Sequence, residues 1–261
     1  MFEKEYATLK VTVEDKIAQV VLSSPPVNTL TPELINDIEA AFDELAAAED
    51  VRAVILSSAF PKVFVAGADI KAFQFMGAEE NMAVSRRGGE VYNKVENFPA
   101  PVICVVEGVA FGGGLELALA CDIRIFGEKA KVGLPEVSLG ITPGYGGSQS
   151  LPHIVGEGQA KRMIYTGATV RADEAYRIGL AQQVVPMGEG VNAAIEMAKT
   201  IANHAPLAVA AVKRCIHASR GDREAGMAYE TEMAGYTFTT EDKVEGMTAF
   251  IEKRPAEFKR R

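Results

Sequence analysis

The stretch Pro101-Val102-Ile103-Cys104-Val105-Val106-Glu107-Gly108-Val109-Ala110-Phe111-Gly112-Gly113-Gly114-Leu115-Glu116-Leu117-Ala118-Leu119-Ala120-Cys121-Asp122 decides the fold of this chain. Residues 101–106 are apolar throughout and rich in β-branched side chains, which predicts a buried central strand. Residues 108–114 hold too many glycines for a regular helix. Residues 115–120 predict a helix, and residues 122–126 return to strand. Strand, glycine turn, helix and strand in succession imply an α/β layered fold.

Outward from this centre, alternation over residues 7–13 and 17–22 predicts two strands, with Asp15-Lys16 at the turn. Residues 23–28 carry two prolines and read as a loop. Thr31-Pro32-Glu33 has the signature of a helix start, with Thr31 as N-cap and Pro32 in the first position, and the helix runs to about Ala48. Residues 51–57 predict a buried strand, residues 63–65 a short one, and residues 79–97 a helix. Beyond Gly156 the pattern turns helical, over 159–165, 173–178, 191–203, 206–219, 223–235 and 241–252. The division this suggests is an α/β core over 1–190 and a helical region over 191–261. No internal repeat is visible.

With 261 residues, 48% of them hydrophobic, the chain can bury a large core. The net charge of −8 argues against broad nucleic-acid binding, which needs a positive surface. No signal-peptide pattern opens the sequence, and the longest apolar tract, residues 101–121, is broken by two glutamates and three successive glycines. The expectation is therefore a cytoplasmic protein with no membrane partner. Cys104, Cys121 and Cys215 sit in apolar runs and read as buried packing thiols. Lys213-Arg214 reads as a solvated basic face, and Met227, Met233 and Met247 as helical packing. His153, His204 and His217 lack metal-ligand spacing, so no metal is expected.

Two segments could present backbone N–H groups to an oxyanion. Phe111-Gly112-Gly113-Gly114-Leu115-Glu116 opens a helix after a buried strand, where the first N–H groups have no partner inside the helix and the macrodipole adds positive charge. The other reading of these glycines is a tight turn. The second segment, Val65-Ala66-Gly67-Ala68-Asp69-Ile70-Lys71, runs small residues into an acid at a helix start, and its plainer reading is a strand-to-helix loop. Glu116 lies in the first turn behind Gly113 among apolar neighbours, an environment that raises a carboxyl pKa towards the range useful for proton transfer. Glu136 follows Gly133-Leu134-Pro135. Each acid could equally serve a helix dipole, but two such acids behind loops poor in polar side chains favour paired acid–base work.

Together these segments resemble the crotonase (enoyl-CoA hydratase/isomerase) family. The matching runs are residues 66–71, residues 112–122, Pro135-Glu136-Val137-Ser138-Leu139-Gly140, Pro143-Gly144-Tyr145-Gly146-Gly147-Ser148-Gln149 and residues 241–254, in the family's order and spacing. The resemblance implies a spiral of ββα units followed by a helical trimerisation region, giving a homotrimer or a homohexamer built as a dimer of trimers. It implies hydration of a 2-enoyl thioester of coenzyme A, with no permanently bound cofactor. By the same resemblance, the amides of Ala68 and Gly113 form the oxyanion hole. Glu116 helps activate water for attack at C3, and Glu136 donates a proton to C2. The coenzyme lies against Val27 in the 26–28 loop and against Ala66, Ala68, Asp69, Ile70 and Lys71, with Phe250 and Lys253 at its far end. Isomerisation of a 3-enoyl to a 2-enoyl thioester is the alternative within the family. RNA binding and non-catalytic acyl-CoA binding are the alternatives outside it. Leu134, Ser150 and the bulky Phe73-Gln74-Phe75-Met76 stretch depart from the commonest pattern and bear on acyl-chain length.

Overall fold

Val102–Val106 lies within a seven-stranded sheet in the computed structural model, which describes residues 2–48 and 50–261. From one edge the sheet runs Phe2–Glu5, Leu9–Glu14, Ile17–Leu22, Ala53–Ser58, Val102–Val106, Ile123–Gly127 and Gln183–Val185, so spatial order follows chain order. The first three strands are antiparallel and the remaining pairs are parallel. A second sheet aligns Val63–Val65, Val109–Phe111 and Lys131–Gly133 in parallel, with Val170–Arg171 antiparallel at its edge.

The chain climbs as a spiral. Ala53–Ser58, Val102–Val106 and Ile123–Gly127 in the first sheet are each followed by a strand of the second and then by helix. This is the spiral of ββα units that the sequence resemblance implies. The repetition is one of topology, which is why no sequence period betrays it.

Both faces of the central strands are buried, so they read as continuous apolar runs. Val54, Leu56, Val102, Cys104 and Val106 face the main core. Ala53, Ile55, Ile103 and Val105 face the other way, onto the helix Gly190–Ala202. That helix offers Ala194, Ala198 and Ala202 at intervals of four residues, a stripe small enough for close approach to the sheet. Helix Pro32–Ala47 begins as its sequence predicts, with the Thr31 hydroxyl accepting from Leu34 N at 3.2 Å.

Several elements escape the sequence reading. Val109–Phe111, which lies between two glycines, and Lys131–Gly133, which ends on one, have three residues each, too few for alternation to register. Helix Gly147–Val155 starts on a glycine and contains Pro152, both helix-breaking signals. Strand Phe2–Glu5 is polar and exposed.

Three side-chain expectations are corrected. Lys213 is buried rather than solvated, because Asp122 Oδ2 lies 2.8 Å from its ammonium. Cys215 is only partly buried, unlike Cys104 and Cys121. Met227 and Met247 are half exposed on the last two helices. Among the described residues, no helix is long and apolar enough to cross a membrane.

Candidate active site

The helix that carries Glu116 has only seven residues, Gly113–Leu119, and every one of them is buried. Gly112 precedes it at φ 55°, a left-handed value that glycine adopts without strain. A Cβ at Gly112 would also come within 3.1 Å of Glu136 Oε1. The glycine therefore turns the chain and makes room for the second acid.

Glu116 is 4% exposed. Its Oε1 accepts from the main-chain N–H groups of Tyr145 (2.8 Å) and Gly147 (2.7 Å), the latter opening helix Gly147–Val155. Burial pushes its pKa above the ordinary carboxylate value, and these backbone donors oppose that rise. Glu136 is in a different position. It begins a short 3₁₀ turn, Glu136–Leu139, and its Oε2 is buried without a hydrogen-bond partner among the described residues. Burial, with the nearby charge of Glu116 adding to it, raises the Glu136 pKa to about 7.

Ala68, Gly113, Glu116 and Glu136 all line one cavity of about 320 Å³, together with Phe73, Asn81, Ser85, Ile141, Thr142 and Tyr145. Ala68 belongs to the two-residue strand Gly67–Ala68, paired in parallel with Thr29–Leu30. The side chain of Leu30 in turn presses against Gly113, where a Cβ would meet it at 2.4 Å. Leu30 thus spaces the two segments that carry the candidate oxyanion donors.

Val27 and Ala66 are brought together, with Ala66 N donating to Val27 O at 3.2 Å. Asp69 caps the short helix Ile70–Phe73 by accepting from Lys71 N at 3.0 Å. Ile70 and Lys71 are exposed beyond it. Phe250 and Lys253 lie at the end of the last helix, both exposed, and neither lines this cavity. Phe73 reaches the cavity, but Phe75 is 89% exposed and does not. Leu134 is fully buried near Gly147.

Two supporting residues escaped the sequence reading. Asn28 is fully buried at φ 51°; its amide donates to Phe64 O (2.7 Å) and Ser58 Oγ (2.9 Å) and accepts from Ser24 N (2.8 Å). It fixes the loop that carries Val27. An asparagine after two prolines is a fair signal of a left-handed position. Arg124 is buried and donates to the carbonyls of Leu180 (2.8 Å) and Cys121 (2.6 Å), placing a cation behind the C-terminal end of the Glu116 helix. Nothing in its strand-like surroundings announces that.

Among the described residues, no group of three or more His, Cys, Asp or Glu side chains could hold a metal ion. The arrangement offers main-chain donors at a helix start beside two acids of raised pKa. Such a site suits stabilisation of a developing oxyanion with proton transfer next to it.

Sequence and structure comparisons identify the family. The profile of the enoyl-CoA hydratase/isomerase family matches residues 12–261. A short-chain-enoyl-CoA hydratase of Clostridium acetobutylicum is 44% identical, the match covering 95% of this chain and 96% of that protein. A crotonyl-CoA hydratase of Syntrophomonas wolfei is 39% identical, covering 97% and 98%. The crystal structure of an enoyl-CoA hydratase from Bacillus anthracis superposes with a TM-score of 0.91 at 36% identity, covering 100% of both chains. The chain belongs to the enoyl-CoA hydratase/isomerase family of the crotonase superfamily.

Proposed function

We propose that this enzyme hydrates a 2-enoyl thioester of coenzyme A to the 3-hydroxyacyl thioester, in acyl-CoA degradation. The observation that carries this reading is the pair of acids with raised pKa, Glu116 and Glu136, in one cavity with Ala68 and Gly113. The thioester carbonyl accepts from the amides of Ala68 and Gly113, which stabilise the enolate oxygen as it forms. Glu116, its Oε1 fixed by two main-chain donors, draws a proton from water as the oxygen attacks C3. Glu136, near pKa 7 and without a partner on Oε2, supplies the proton to C2. Val27, Ala66, Asp69, Ile70 and Lys71 form the rim for the coenzyme. Phe250 and Lys253 act at its far end.

The 191–261 region is proposed to assemble the chain into a homotrimer or a dimer of trimers. The exposed apolar side chains of the last helix support this. The free cysteines fit a reducing, cytoplasmic setting.

Purified protein incubated with crotonyl-CoA should bleach the enoyl thioester absorbance. No loss of signal at any acyl length refutes hydration. Isomerisation of 3-enoyl thioesters is the second reading, favoured only by the unpartnered Oε2 of Glu136, through which that acid could shuttle one proton alone. Glu116→Ala separates the two: hydration collapses, whereas an isomerase working through Glu136 keeps most of its rate.

A further inference from the structure

Helix Ala78–Glu96 turns one stripe of residues towards the active site: Asn81, Ser85, Gly88 and Tyr92, spaced by four, three and four residues. Asn81 and Ser85 line the cavity itself. Gly88 and Tyr92 act on the ring of Tyr145, another lining residue. A Cβ at Gly88 would come within 2.5 Å of that ring, so only glycine lets it lie against the helix. Tyr92 meets the ring edge-on, centroids 5.3 Å apart at 85°, and is itself held by a 2.9 Å hydrogen bond from its hydroxyl to Gly113 O. On a third side the ring packs against Gly113, where a Cβ would lie 3.2 Å from it. The Tyr145 backbone is pinned as well, since its N–H donates to Glu116. Three sides of the ring are thus closed, and the side left open faces the cavity.

On the hydratase reading, the thioester carbonyl sits at the amides of Ala68 and Gly113, and C2 and C3 lie by the two acids. The acyl chain beyond C3 must then run through what is left of the cavity, along the Tyr145 ring. Resting on that reading, we propose that Tyr145, wedged by Gly88 and Tyr92, is the gauge that sets acyl-chain length, restricting the site to short 2-enoyl thioesters. Tyr145 acts here by contact with the acyl chain, and Gly88 and Tyr92 are its positioning residues.

The test compares the kcat/KM ratio for 2-octenoyl-CoA over crotonyl-CoA in three variants, with melting curves to establish folding. Tyr145→Ala removes the ring but keeps the main-chain donor to Glu116. It should raise the ratio by about tenfold or more, the discrimination that one or two methylenes commonly carry. Tyr145→Leu should give an intermediate rise. Gly88→Ala drives the ring into the cavity and should lower the ratio. Ratios that stay within about twofold of the parent, or shifts of the same sign in Gly88→Ala and Tyr145→Ala, overturn the proposal. Affinities for saturated butyryl-CoA and octanoyl-CoA, measured by calorimetry in the same variants, report on the gauge without any turnover. An enzyme that fails to hydrate yet shows the opposite shifts in affinity therefore refutes the hydratase reading and leaves the gauge standing.

Discussion

Glu116 and Glu136 carry the same functional group into two electrostatic situations. Glu116 is the more deeply buried, but two main-chain N–H groups favour its charged form. Glu136 is less buried, yet nothing donates to its Oε2, and the charge of Glu116 opposes its ionisation. Environments that push two acids apart in this way assign acid and base roles. With Glu136 as proton donor, kcat/KM for crotonyl-CoA should fall as pH rises through about 7. A pH–rate profile checks this, and an alkaline limb that stays flat to pH 9 contradicts it. Glu136→Gln, which cannot donate a proton as an acid, should lose about a hundred- to ten-thousand-fold in kcat. The same shift has a consequence for stability. A carboxyl whose folded pKa lies above its unfolded value binds more protons when folded, so its contribution becomes unfavourable as pH rises from about 4.5 to about 7. Glu136→Gln should therefore melt above the parent at pH 8, with the gap closing at pH 4. Equal melting temperatures at pH 8 would show that the acid is not strained by its site.

At the scale of single elements, the Gly113–Leu119 helix is too short to hold itself together, since isolated helices of that length do not persist in water. Its surroundings hold it. Tyr92 grips the first turn, and Arg124 ties the Cys121 carbonyl beyond the last turn to that of Leu180. Arg124→Met keeps much of the side-chain volume and strands those buried acceptors. We expect a loss of about 3 kcal/mol in urea unfolding, taking about 1–3 kcal/mol for each unsatisfied group. A loss under about 1 kcal/mol would mean that the carbonyls find other donors. This helix also shows what the sequence discloses. Its start within the run of three glycines, and an acid in its first turn among apolar neighbours, were legible locally. Its support was not. Tyr145 N and Gly147 N reach Glu116 from 29 and 31 residues further along the chain, a tertiary fact with no local signature. Val63–Val65 of the second sheet was legible as a short apolar run, whereas Val109–Phe111 and Lys131–Gly133 were hidden for another reason: three residues beside glycine do not complete a pattern.

At the scale of the whole molecule, the apolar side chains divide unevenly. The long strands and the alanine stripe of helix Gly190–Ala202 were readable because both faces of the large sheet are sealed. The last helix is different. Val244, Met247 and Ile251 recur at intervals of three and four residues on one face of helix Glu241–Glu252, and all three remain at least half exposed within a single chain. Met247 fits the expected helical packing only if another surface covers it. Large exposed apolar patches are the usual surfaces of association, and a second copy of the same chain is the partner proposed above for this stripe. The native protein should then sediment at three or six times the chain mass. Val244→Asp combined with Ile251→Asp puts two charges into that face and should shift the mass towards the single chain, with the far-UV circular dichroism of the parent retained. A parent that sediments as a monomer, or a double variant that stays assembled, would show that this face does not join the copies.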